Sequence, residues 1–157
     1  MRAMVLAATA SLDRNPAPLT LVRLPRPEPG PGEILIEVSV CGVCHTELDE
    51  IEGRTAPPRL PVIPGHEIIG RVVENGPGCS RYPPGQRVGV GWIHSSTGAQ
   101  DENLSTEFRA TGRDADGGYA EFVVVPERYA YPIPDEFSDA EAAPLLCAGA
   151  VGFRSLR

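Results

Sequence analysis

Four cysteines (Cys41, Cys44, Cys79, Cys147) and three histidines (His45, His66, His94) are the soft and borderline metal donors in this sequence. A catalytic zinc site takes three protein ligands and leaves a fourth position for water or substrate. Three of the seven sit where elements are expected to end. Cys44 follows a strand in Cys41-Gly-Val-Cys44-His45-Thr46-Glu47-Leu48-Asp49, and His66 sits in Pro64-Gly65-His66-Glu67 at the mouth of the next strand. Cys147, in Pro144-Leu-Leu-Cys147-Ala-Gly, is expected in the first turn of a helix, where the thiolate that binds metal is favoured. Spacing alone also fits plainer readings. A lone Cys is ordinarily a small core hydrophobe, and a lone His a satisfied polar residue. Cys41-Gly-Val-Cys44-His45 matches the c-type haem pattern and a thioredoxin-like Cys-x-x-Cys as well. Haem attachment calls for export and an axial ligand downstream, whereas both Met1 and Met4 precede the motif.

The elements that must carry these residues read mainly as strands. Ile34, Ile36, Val38 and Val40 alternate, which predicts a strand with all four on one face. Further β-rich runs cover residues 68–74, 86–90, 119–125 and 129–133, with Pro-Gly or Gly-Pro turns at 64–65, 76–78 and 84–85. Residues 94–117 are polar and weakly patterned, the signature of an exposed excursion. Only the end of the chain looks helical. Ser138 and Glu141 form a capping box, Pro144 restarts the helix, and Leu146, Ala150 and Phe153 recur at helical spacing.

Composition narrows the function class. The net charge of −7 disfavours nucleic acid and acidic membranes as partners; all 14 basic residues are arginine. No apolar run approaches the roughly 20 residues that span a bilayer. The first ten residues superficially resemble a signal peptide, but their apolar stretch is short, and a first β-strand is the better reading. That favours a reducing cytoplasm with the thiols free for metal. Gly and Pro, 17 each, suit a turn-rich β-domain.

Five segments together resemble the zinc-dependent medium-chain alcohol dehydrogenases. They are Gly42-Val43-Cys44-His45-Thr46, Pro64-Gly65-His66-Glu67-Ile68-Ile69-Gly70, Gly85-Gln86-Arg87-Val88-Gly89, Gly117-Gly118-Tyr119-Ala120-Glu121 and Ala143-Pro144-Leu145-Leu146-Cys147-Ala148-Gly149. The resemblance implies a mainly β (α+β) domain, a GroES-like partly open β-barrel with a short C-terminal helical segment, filling residues 1–157 as a single domain. It implies that Cys44, His66 and Cys147 hold one catalytic zinc, with Glu67 close enough to displace or replace the water. Thr46 matches the hydroxyl that takes the substrate alcohol's proton. Asp49 stands where many relatives carry a proton-relay His, and a carboxylate with a pKa near 4 makes a poor shuttle at pH 7. Glu47 stands where many carry Asp behind the zinc ligands, one methylene shorter. Trp92 matches a wall of the alcohol pocket, and His45 a position facing the cofactor's pyrophosphate.

The substrate class so implied is a small alcohol or aldehyde, with hydride passing to NAD or NADP. Two departures stand out. The four closely spaced cysteines of a structural zinc are missing from Ser95 to Phe108, where Thr97 and Ser105 occupy the flanking positions. No Gly-x-Gly-x-x-Gly follows a strand, so the Rossmann domain that binds the nucleotide is absent from these residues. Weak or no dehydrogenase activity is the expectation for the chain alone, with self-association through apolar surface around Leu146, Val151 and Phe153. The competing reading is a non-catalytic metal-binding scaffold.

Overall fold

The computed structural model describes residues 1–156. Its elements in chain order are β1 (Arg2–Leu6), β2 (Leu19–Arg23), β3 (Glu33–Cys41), α1 (His45–Ile51), β4 (Ile68–Asn75), β5 (Arg87–Val90), β6 (Ile93–Ser95), β7 (Arg109–Ala110), β8 (Phe122–Pro126), β9 (Ala130–Pro132), α2 (Asp139–Ala142) and α3 (Ala148–Ser155). The centre is an antiparallel five-stranded sheet in the order β8-β3-β4-β5-β9, with β1-β2 and β6-β7 as separate ribbons. Bridges at Ala3–Ala120 and Leu6–Val62 tie the first ribbon to the rest. The molecule is mainly β, a curled half-barrel with its helices gathered at Cys44 and at the end of the chain.

The alternation in β3 is partly honoured. Ile34 and Ile36 enter the main core with Ile68, Val72, Val88, Val90, Val123 and Val125, and Val38 packs against it. Val40 departs from that face. The β3–β4 register shifts between Val38 and Val40, and Val40 packs instead beside Ile69, Ala142 and Ala143. One extra residue in a bulge turns the following side chains to the other side of the sheet, which is how a single strand serves two cores.

Two expectations about helices are corrected. The end of the chain holds a short α2, a 3-10 turn over Ala143–Leu146 and α3, so the restart at Pro144 is a 3-10 turn and the α-helix resumes only after Cys147. Ser138 caps α2 in a capping box with Glu141, and Pro144 opens the 3-10 turn, so both signals act where expected. Cys147 itself is the N-cap of α3, one position before its first turn. The other correction is α1, a helix in a stretch the sequence patterning leaves non-helical.

The 94–117 excursion is only partly exposed. Thr111 is buried, and the first half is pinned from within. The Tyr129 hydroxyl accepts from Ser96 N–H at 2.8 Å and donates to Glu102 at 2.8 Å, while Glu102 also accepts from Gly98 N–H. Side-chain and backbone hydrogen bonds thus order the loop. Leu146 packs into a core cluster instead of facing solvent, whereas Leu145, Val151, Phe153 and Leu156 are exposed.

Candidate metal centre

Cys44 ends the turn after β3 and serves as N-cap of α1, with its own N–H received by the Glu47 carboxylate at 2.8 Å. His66 and Glu67 lie immediately before β4, delivered by Gly65 at φ +99°. A side chain at Gly65 would strike the Tyr119 ring at 2.6 Å and Cys41 Sγ at 2.8 Å, so glycine permits both the left-handed turn and the close packing. Cys147 arrives from the 3-10 turn at the end of the chain.

These four residues converge. One donor atom each from Cys44, His66, Glu67 and Cys147 lies within 4.8 Å of the others. The two sulfurs are 3.8 Å apart. Two thiolates bound about 2.3 Å from a tetrahedral zinc stand about 3.8 Å from each other, so the sulfur spacing already has the value the ion requires. Two thiols, an imidazole and a carboxylate also form a donor set suited to zinc over harder cations. All four cysteines are free of disulfides.

Glu47 holds the centre together from behind. One carboxylate oxygen receives the Cys44 N–H, and the other lies 2.6 Å from His66 Nδ1. Both side chains are closed to solvent, Glu47 at 2% exposure and His66 at 3%. The additional methylene relative to Asp therefore keeps the contact, and the ring is oriented with Nε2 toward the cluster.

Burial disfavours a charged His66, but Glu47 and the Cys44 sulfur outweigh it and push its pKa up to about 9. Burial also works against a Cys44 thiolate; contacts with Thr46, Cys147 and His66 nevertheless hold its pKa below the ordinary thiol value. Cys147 goes the other way. Burial, then the neighbouring Cys44, push it up to about 12, so in the metal-free pair it keeps the proton. The expected easing of ionisation by the helix N-terminus is overcome at Cys147. Glu67 is raised by desolvation.

A cavity of about 380 Å³ opens on the centre, lined by Thr46, His66 and Cys147 on one side and Trp92, Phe108 and Val151 on another. Trp92 meets Phe108 at 5.6 Å between ring centroids, inclined by 58°. Sequence reasoning places Trp92 and Thr46 here but misses Phe108, Glu50, Thr111 and Arg113, which complete the wall. Thr46 Oγ1 is 3.5 Å from Cys44 Sγ. Asp49 and His45 do not line this cavity. Asp49 is ion-paired with Arg54 at 2.6 Å, which holds its carboxyl below the usual range, and His45 Nδ1 lies 3.6 Å from it on the exposed face of α1. Cys41, Cys79 and His94 stand outside the cluster. Cys41 and Cys79 pack against the main core, where burial pushes the Cys41 thiol up to about 12.

The family model of the alcohol dehydrogenase GroES-like domain matches residues 30–135. The chain belongs to this family. It is similar to a probable alcohol dehydrogenase, AdhA, of Mycobacterium tuberculosis, at 44% identity over 156 residues; the match covers 92% of this chain and 44% of that protein. An alcohol dehydrogenase of Geobacillus stearothermophilus is 37% identical over 155 residues, with 94% and 46% covered. Among solved structures, an NAD-dependent alcohol dehydrogenase superposes with a TM-score of 0.83 at 30% identity, covering 93% of this chain and 43% of its own. A thermostable alcohol dehydrogenase from Pyrobaculum aerophilum gives 0.78 at 32% identity, with 92% and 44% covered. The chain thus spans less than half the length of these relatives. No helix among the described residues is long and apolar enough to cross a membrane.

Proposed function

We propose that this chain is the zinc-binding catalytic domain of an NAD(P)-dependent alcohol dehydrogenase acting on a small alcohol or aldehyde. The observation that carries the reading is the Cys44, His66, Glu67 and Cys147 cluster, spaced for a tetrahedral ion and opening on an apolar-walled cavity. Cys44, His66 and Cys147 would hold zinc, with water or Glu67 in the fourth place. When bound, the ion supplies Lewis acidity that lowers the pKa of an alcohol.

The remaining chemistry belongs to the chain. Thr46, beside Cys44 and lining the cavity, receives the proton that the alcohol hydroxyl gives up. Asp49, committed to Arg54, is anionic and engaged, so the proton leaves Thr46 by way of water. Trp92, Phe108 and Val151 exclude bulk water from the reacting carbon and bind the alcohol's apolar part. His45, exposed at the start of α1, would face the pyrophosphate of a nicotinamide cofactor, and its exposure leaves it free to do so. The cofactor's own site lies in a nucleotide-binding domain, which is not among these 157 residues.

Metal analysis of the purified chain tests this reading, with one zinc per chain expected. A steady-state assay of the chain alone should show no reduction of NAD or NADP near enzymatic rates. Placing a nicotinamide about 3–3.5 Å from the reacting carbon would call for the nucleotide-binding domain as well. Absence of stoichiometric zinc from protein purified without chelators, and failure to take it up, would refute the assignment.

A further inference from the structure

Gly42 lies between β3 and α1, and its φ is not positive, so its backbone conformation is one that any residue adopts. What excludes a side chain there is a neighbour. A Cβ on Gly42 would fall 2.0 Å from Glu67 Oε2, 3.1 Å from Glu67 Cδ and 3.0 Å from Glu67 Cβ. The backbone at this point is held on both sides. Gly42 N–H donates to the Glu67 carbonyl at 2.9 Å, and the Gly42 carbonyl accepts from the Tyr119 hydroxyl at 3.4 Å. The carboxylate therefore rests in a berth whose floor is the Gly42 Cα. Glu67 also offers an oxygen within 4.8 Å of the donor atoms of Cys44, His66 and Cys147, near enough to join them. It is not among the residues lining the cavity, which Thr46, His66 and Cys147 reach. A ligand thus enters on one side of the cluster while the carboxylate rests on another.

We propose that Gly42 is a positioning residue: by leaving room beside its Cα for the Glu67 carboxylate, it keeps that carboxylate off the ion and the fourth place open to the alcohol. This rests on the reading of the metal centre given above. A methyl group at position 42 meets the far end of a flexible side chain, so Glu67 moves and the fold is kept. The direction of that movement follows from burial. Glu67 is 5% exposed, and a buried carboxylate driven from its berth is stabilised best against a cation. Once seated on the ion it competes with any entering ligand, whose apparent affinity falls with the fraction of time the place is free. A third anion on the ion would also weaken the Lewis acidity that lowers the alcohol's pKa.

The test uses the full 157-residue chain loaded with cobalt(II), whose visible spectrum reports both the thiolate ligands and the fourth place. Imidazole, a neutral donor, is the entering ligand. Parent and Glu67→Ala should bind it within about threefold of each other, because the carboxylate already stands off the ion. Gly42→Ala should keep the thiolate-to-cobalt absorption and bind imidazole about tenfold more weakly or worse, as when the place is free about a tenth of the time. Combining Gly42→Ala with Glu67→Ala should restore binding to within about threefold of Glu67→Ala alone, a rescue that a purely structural glycine would not show. An unchanged affinity in Gly42→Ala, or a loss that the double variant retains, would overturn the role of Gly42 while leaving the metal centre standing. Binding about tenfold tighter in Glu67→Ala than in the parent overturns it too, by placing the carboxylate on the ion from the start. So does a Gly42→Ala chain that takes up no cobalt, since the carboxylate is to move within an intact centre. Absence of thiolate-to-cobalt absorption in the parent chain removes the metal centre and the positioning role together.

Discussion

The Glu47 carboxylate lies 2.6 Å from His66 Nδ1, and the same side chain receives the Cys44 N–H at 2.8 Å. A single acid therefore fixes both the ring orientation of one candidate ligand and the backbone of another. Glu47→Gln preserves the shape and removes the charge. Partners of this kind are typically worth 10–100-fold in metal affinity, so zinc affinity should fall by about that factor in chelator competition. An unchanged affinity would mean that packing alone orients His66.

The sulfur pair gives a second prediction. Cys44→Ser and Cys147→Ser should each abolish stoichiometric zinc, because either leaves only one thiolate in a set that favours zinc through sulfur. Glu67→Gln should keep it. Elemental analysis after dialysis decides the matter, and full zinc in Cys147→Ser would remove that residue from the site.

Glu50 should impose a pH dependence on stability. Burial pushes its pKa up to about 7, with Glu47 adding to the effect. The folded chain therefore holds a proton, between about pH 4.5 and 7, that the unfolded chain has released. Glu50's contribution is complete below its unfolded pKa and is lost as pH rises through the folded one. Across that window Glu50→Gln should gain on the parent by up to about 3 kcal/mol. Urea midpoints at pH 4.5, 6 and 7.5 measure it; a constant difference would show that Glu50 is solvated when charged.

Tyr129→Phe removes the hydroxyl that serves both Ser96 and Glu102. Leaving the Ser96 N–H unsatisfied should cost about 1–3 kcal/mol. Amide exchange should accelerate over residues 96–104, with zinc content unchanged. Loss of zinc in this variant would tie the loop to the metal centre.

The outline of the sheet was legible because β3 alternates, β4 is a β-rich run, and Pro-Gly or Gly-Pro turns flank β4. Cys44, His66 and Cys147 were legible from the family's motifs, and the structure brings them together. What escaped was set by tertiary arrangement. Seven residues of α1 carry only Leu48 and Ile51 as apolar markers, too short a run for periodicity to register; the available clue was Glu47 three residues after Cys44, a capping box with an unusual cap. Val40 was assigned to the wrong face because a bulge has no fixed sequence signature. Glu50 and Thr111 lie 61 positions apart, and neither has a local pattern that marks it as a cavity wall. Asp49 was readable as chemistry, while its pairing with Arg54 depended on a turn that the sequence leaves open.

Cys44 and Cys147 are separated by 103 positions and meet at 3.8 Å. The segment carrying Cys147 leads into α3, which contributes no buried side chain. An ion shared by the two sulfurs would close most of these residues into one loop and anchor a helix that buries no side chain of its own. Closing a long loop costs only slightly more entropy than closing a short one, so the clasp spans the 103 positions between the two sulfurs at modest cost. Free zinc at a hundred times its dissociation constant would add about 2.7 kcal/mol to the folded state. Zinc supply would then set how firmly the Cys147 segment is held against the sheet, and loss of the ion would loosen that segment before any strand had opened.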